Sequence, residues 1–422
     1  MWFTVCEFEQ CRLEYEHEHR LAHFLLQRNV LATLYPRRLA KIKPIGQSLV
    51  ALLSKAIEVI RKMKRLGNLY PLVCDKDNIR RAINKACCGK RKRHDVQRVL
   101  RDVDKAVDTI HEMLVNKTYE PSDYTSEIVR DGSFNKERVI SKPNFFPDQC
   151  IHWAIYLVIK DWIYKGLYVF SCGSVPGRGV HYGKKYVEKW VRTDHKNTKY
   201  YLKLDIRKFY PSVEPERLMA KLRKKLKDKD LLELLGKILS KSDGLPIGIL
   251  LSQMFANFYI SDIDHFIKQD LNATYYLRYM DDMVVLGSNK KQLHKMRLLI
   301  NEKLKENGLT LKANWQVYRL AKEPLDFMGF RFFQDRTILR KSIMYRIVRT
   351  VKRVYLKGRA CSYKDACAVI SYLGWIKHSD SHTLFVTRIK PYLHIQSMKN
   401  IIRRMSYEHL SKQQYRLSAG VG

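Results

Sequence analysis

Leu277-Arg278-Tyr279-Met280-Asp281-Asp282-Met283-Val284-Val285-Leu286 sets two adjacent carboxylates inside an apolar and aromatic run that closes at Gly287-Ser288. Such flanks predict β-strands, and Asp is depleted from strand interiors, so the pair predicts a hairpin whose turn presents its acids. An Asp pair is common in ordinary turns, and a second stretch is needed to give it meaning. In Tyr200-Tyr201-Leu202-Lys203-Leu204-Asp205-Ile206, alternation puts Leu202, Leu204 and Ile206 on one face and Lys203 and Asp205 on the other. Two hard divalent ions about 3.5–4 Å apart draw oxygen ligands from more than one chain segment. A strand-end Asp beside an Asp-Asp hairpin supplies that donor set.

Tyr-Met-Asp-Asp at 279–282, Leu-Asp-Ile-Arg-Lys-Phe-Tyr at 204–210 and Gly-Leu-Pro-Ile-Gly-Ile-Leu-Leu-Ser-Gln at 244–253 resemble the palm motifs of reverse transcriptases, in the family's chain order. Ile247-Gly248 followed by Ser252-Gln253 departs from the retroviral pattern and resembles the enzymes of diversity-generating retroelements, within the clade that also holds retron and group II intron enzymes. Trp315-Gln316-Val317, Leu339-Arg340-Lys341-Ser342, Gly374-Trp375, His378 and Asp380-Ser381-His382 resemble the same bacterial subgroup. The resemblance covers roughly residues 68–395.

Length and charge agree with a nucleic-acid enzyme. The 422 residues leave room for a hand-shaped polymerase. Lys and Arg number 79 against 42 Asp and Glu, a formal charge of +37 that repels itself unless a polyanion is bound. A membrane partner is not expected, because no long apolar run appears. Nine scattered cysteines suit reduced thiols and a cytoplasmic setting. Cys6 and Cys11 with three nearby histidines lack the second half of a zinc pattern.

Taken in order, residues 45–66 and 96–116 read as amphipathic helices, with Gly89-Lys90-Arg91-Lys92-Arg93-His94 between them. Arg91 and Arg93 are candidate phosphate contacts, although a charge run also serves as a plain solvated face. Residues 119–149 read as strands and turns, and 148–161 as a buried helix carrying His152. Lys136-Glu137-Arg138-Val139-Ile140 resembles the family's fingers strand, which makes Arg138, and secondarily Lys136, the candidate triphosphate ligands. A guanidinium fork suits phosphate oxygens. The Gly-rich loop 171–181 lacks the ending of a phosphate-binding P-loop, and the resemblance sets its Arg178 near the template. Tyr210 lies five residues beyond Asp205, where the family carries a bulky residue that excludes a 2′-OH. Gly244-Leu245-Pro246-Ile247-Gly248 opens a helix from about Ile249 to Phe266, with Gln253 near the nascent base pair. Residues 325–332 alternate into a second hairpin resembling the primer grip. Helix 341–357 carries Arg346, Arg349, Arg353 and Lys357 as a basic stripe. Many relatives place a Lys after the catalytic hairpin; here Trp315 takes that place and Lys312 stands a few residues early, so no general acid is assigned.

The resemblance implies an α+β right-hand polymerase with an antiparallel palm sheet. It divides into a helical N-terminal extension at 1–67, fingers with part of the palm at 68–199, palm at 200–335, and a helical thumb with the C-terminal region at 336–422. It implies an RNA-directed DNA polymerase with two Mg²⁺ ions on Asp205, Asp281 and Asp282, with Ile206 in the metal set. Template RNA, an RNA–DNA duplex and dNTPs are the expected partners, joined by a structured non-coding RNA and a small basic accessory protein, in a bacterial or prophage-encoded system. Copying a template repeat with errors at adenines is the expected task. An antiphage-defence or retron-like enzyme copying an associated non-coding RNA is the competing reading, and an RNA-binding scaffold with an idle palm is the non-enzymatic one.

Overall fold

The computed structural model describes residues 65–131 and 136–405, which from Leu66 onward belong to one compact unit. The helix expected at 45–66 and the Cys6/Cys11 stretch lie outside the described residues. The first helices are α1 (Tyr70–Cys74), α2 (Lys76–Cys87), α3 (His94–Arg101) and α4 (Val103–Val115). The single helix expected at 96–116 is therefore two. Asp102 leaves helical geometry at φ −144° and its side chain accepts from Lys105 N, and this cap starts α4 instead of continuing α3.

A two-stranded ribbon follows, β1 (Thr125–Asp131) and β2 (Lys136–Lys142), antiparallel with Val129 opposite Arg138. Then come α5 (Cys150–Lys165), the short β3 (Ser171–Cys172), α6 (Val180–Thr193), β4 (Tyr200–Asp205), α7 (Pro215–Lys225) and α8 (Lys229–Leu239). Next are α9 (Leu250–Gln269), β5 (Tyr275–Tyr279), β6 (Asp282–Gly287), α10 (Lys290–Glu306) and β7 (Gln316–Arg319). β3, β5, β6, β4 and β7 form the central sheet in that order. It is antiparallel except where β3 runs parallel to β5, a pairing that sequence alternation did not reveal.

Both faces of this sheet are covered, which explains why β6 reads as a continuous apolar run rather than an alternating one. Leu202, Leu204, Met283 and Val285 pack toward the helical side with α5 and α9. Tyr201, Leu277, Val284 and Leu286 pack toward the other side. That second layer holds a small antiparallel sheet, β8 (Leu325–Phe327), β9 (Phe330–Phe332) and β10 (Thr337–Leu339), and the helices α11 (Lys341–Leu356) and α12 (Tyr363–Lys377). The expected second hairpin is β8–β9, closed by Met328 and Gly329, both at positive φ. No described helix is long and apolar enough to cross a membrane.

The candidate active site

Asp205 is the last residue of β4, and the register sets it directly opposite Asp282, the first residue of β6. Along that face of β4 Tyr201 is buried, while Lys203 and Asp205 are only partly covered. The covering layer thus thins out where the carboxylates begin, and the acids gain an opening without leaving the sheet. Tyr279 and Asp282 pair across a two-residue turn made by Met280 and Asp281, with Met280 at φ 56°. A non-glycine residue in that conformation is held by its surroundings. Met280 N donates to Cys172 O at 3.0 Å, and its side chain lies so close to Gly173 that a Cβ there would meet Met280 Cγ at 2.7 Å.

The hairpin is anchored from beneath by a buried ion pair. Arg278 is fully enclosed and grips Asp264 of α9 through two bonds, Nε to Oδ1 at 2.8 Å and Nη2 to Oδ2 at 2.7 Å. Its remaining Nη1 donates to Asn257 Oδ1 and to Met280 O, both at 2.9 Å. Ser171 Oγ and Tyr276 Oη each donate to Asp264 at 2.6 Å, and Asn257 Nδ2 donates to Gly173 O at 3.1 Å. One network therefore ties the acid-bearing turn, β3, β5 and α9 together. The sequence reading missed Asp264 and Asn257 because both sit in a helix pattern that looks like ordinary amphipathic alternation.

Electrostatically the site is crowded with negative charge. Burial, followed by the charges of Asp281 and Asp205, raises the Asp282 carboxyl to about 6, with Lys203 and Lys312 opposing the rise. Asp205 Oδ1 is buried and has no hydrogen-bond partner. An orphaned carboxylate oxygen beside two further acids fits a hard divalent cation. Among the described residues, no three His, Cys, Asp or Glu side chains gather closely enough to hold a metal by themselves. The side chain of Ile206 is buried and apolar, which leaves its carbonyl as the group it could offer.

The other candidates divide. Tyr210 is half-buried, with its ring 5.7 Å from that of Phe209, and its hydroxyl pKa is raised by burial and then by the charge of Asp281. Gln253 is exposed in the first turn of α9. That helix begins after Gly248, at φ 107°, where a Cβ would meet Ser141 O at 2.7 Å. Ser141 N donates to Ile247 O at 2.7 Å, so the base of the ribbon carrying Arg138 is pinned to the start of α9. Arg138 is exposed, and Lys136 pairs in register with Asp131. Arg91 is exposed, whereas Arg93 is engaged by Asp95 at 2.5 Å and 3.0 Å. Arg178 donates to Tyr168 O at 3.0 Å, which braces its own loop. The basic stripe on α11 is partly used internally: Arg353 lies 3.7 Å and Lys357 2.6 Å from Asp365 of α12, while Arg346 is half-exposed and Arg349 exposed. His152 is enclosed, and burial lowers it to about 4.

Asp205, Asp281 and Asp282 thus stand together at one end of the two middle strands of the sheet, in a chain of strongly basic composition. Residues 129–332 match the family described as reverse transcriptase (RNA-dependent DNA polymerase). The chain is an RNA-directed DNA polymerase. It is 28% identical over 229 residues to the retron Ec73 reverse transcriptase of Escherichia coli, covering 50% of this chain and 72% of that one. Solved telomerase structures are similar at lower levels. The Candida albicans enzyme in complex with a fragment of telomeric RNA gives a TM-score of 0.41 at 12% identity, over 68% of this chain and 58% of its own. The Candida tropicalis apo enzyme gives 0.41 at 14%, over 71% and 61%. The matched part thus spans about three fifths of each telomerase chain.

Proposed function

We propose that Asp205 and Asp281 bind two Mg²⁺ ions, with Asp282 close by, and that the chain extends a DNA strand along an RNA template. When bound, the ions activate the primer 3′-OH for in-line attack on the α-phosphate and neutralise the leaving pyrophosphate. The observation that carries this reading is the pairing of Asp205 with Asp282 where β4 ends and β6 begins, next to Asp281 on the turn. Substrate phosphates and water would complete the coordination, since Mg²⁺ keeps several ligands that are not protein side chains. In this reading the central sheet is the palm, the β1–β2 ribbon belongs to the fingers and α11 and α12 form the thumb. Arg138 and Lys136 hold the triphosphate, Tyr210 fills the volume of a 2′-OH, and Gln253 lies along the nascent base pair. Arg91, Arg178, Arg346 and Arg349 contact phosphate, and Arg353 joins them on exchanging Asp365 for RNA.

The task we propose is error-prone copying of a template repeat in a diversity-generating retroelement, with a structured RNA and a small basic accessory protein. The motif order and the Ile-Gly/Ser-Gln pattern support it. The similarity to a retron enzyme favours a second reading, synthesis of cDNA on an associated non-coding RNA. Purified protein incubated with its own flanking transcript, Mg²⁺ and dNTPs, followed by sequencing of the cDNA, separates the two. Substitutions concentrated opposite template adenines support the first, and faithful or repeated product supports the second. Absence of product even with the accessory protein would favour a scaffold.

A further inference from the structure

We propose that Lys312 is the resident counter-ion of the carboxylate site: its ammonium holds one oxygen of Asp205, and a divalent cation arriving at the open oxygen competes with it for the same carboxylate, so metal binding is a displacement and Lys312 sets the cation threshold. The inference rests on the polymerase reading above, in that the displaced ammonium and the incoming cation compete for the same acid.

The geometry behind it is specific. The segment that follows α10 is zipped to the end of β4 by backbone pairing. Arg207 N donates to Thr310 O at 2.8 Å, Lys312 N donates to Asp205 O at 2.8 Å, and Ile206 bridges Leu311. Lys312 is thus delivered to Asp205 by the main chain and does not reach it as a wandering surface side chain. Its Nζ then ion-pairs with Asp205 Oδ2, both groups being only partly exposed, while Oδ1 of the same carboxylate is buried and unpartnered. One oxygen of Asp205 is therefore neutralised by the protein and the other is left open. Lys203, on the same face of β4, donates instead to Asp326 O at 2.8 Å.

The physical consequence is a built-in competition. Three carboxylates at one strand end repel one another, and a cation among them relieves that repulsion. An ammonium on a flexible four-carbon stem supplies the charge without coordination geometry and can swing aside when a better cation arrives. Without Lys312 the empty site would be more negative and would take up a divalent ion at lower concentration. With it, the charge on Asp205 is offset until the ion, or the ion with its triphosphate, displaces the ammonium.

The test uses the full chain without nucleic acid or dNTP. Mn²⁺ binding is followed by isothermal titration, and by the rise of the thermal unfolding midpoint with Mn²⁺, for the parent, Lys312→Met, Lys312→Gln, Lys312→Arg and Asp205→Asn. Removing a charged hydrogen bond that competes with the ion should lower half-saturating Mn²⁺ about tenfold in Lys312→Met and Lys312→Gln. Lys312→Arg should stay near the parent, because the charge is kept. Equal or weaker Mn²⁺ binding in the two neutral variants, with parent binding that Asp205→Asn abolishes, would overturn the displacement and leave the metal reading standing. Parent binding that survives Asp205→Asn unchanged would overturn both.

Discussion

At the scale of the residue, the site depends on where a few charges are held. Asp281→Ala should abolish dNTP incorporation on an RNA template while leaving RNA affinity nearly intact, because a carboxylate repels phosphate; primer extension and filter binding measure the two separately. Tyr210→Ala should raise incorporation of ribonucleotides relative to deoxyribonucleotides by opening the volume that the half-buried ring fills, read as the ratio of kcat/KM for the two substrates. Arg278 is a different kind of residue, since it touches no opening and serves by fixing Asp264, Asn257 and the carbonyl of Met280. Arg278→Met should cost roughly 3–5 kcal/mol in denaturant unfolding, because it leaves the carboxylate of Asp264 buried without its partner.

At the scale of the element, caps and close approaches decide where segments begin and how they meet. Ser362 and Asp365 form a reciprocal capping box at the start of α12, and Asp365 also receives Lys357 from the end of α11 at 2.6 Å. Those two partners, Lys357 first and Ser362 next, hold the Asp365 carboxyl down at about 2. A depressed carboxylate stabilises the fold above its unfolded pKa near 4, and the contribution disappears as the pH falls through about 2. Asp365→Asn should therefore lower the thermal unfolding midpoint near pH 7, and the difference from the parent should shrink as the pH falls from about 4 through about 2. An unchanged difference across that window would mean that packing, and not charge, joins α11 to α12.

At the scale of the whole molecule, the charge of +37 makes nucleic-acid affinity a function of salt. Each arginine that meets a phosphate should contribute about one unit to the slope of log affinity against log salt. Replacing Arg346 and Arg349 together by Gln should reduce that slope by about two for an RNA–DNA duplex. Replacing Arg353 should change it less, because Asp365 already lies 3.7 Å from its guanidinium. A double-variant slope equal to the parent's would remove α11 from the duplex interface.

What the sequence determined by itself is local and periodic. The alternation at 200–206 put Leu202, Leu204 and Ile206 in the core and left Asp205 partly covered, and the Asp pair at 281–282 read as a hairpin turn, which the structure makes from Met280 and Asp281 with Asp282 opening β6. Period-two and helical patterns are set by each residue's immediate neighbours, which is why they are legible in one dimension. The tertiary structure alone decided the register that puts Asp282 opposite Asp205, the parallel insertion of β3, the Arg278–Asp264 anchor and the arrival of Lys312 at the carboxylate. It also spent Arg353 and Lys357 on Asp365, against the plain stripe that their spacing suggested. Each of these joins groups far apart in sequence, and a charge's partner is fixed by burial and distance, which no local pattern records.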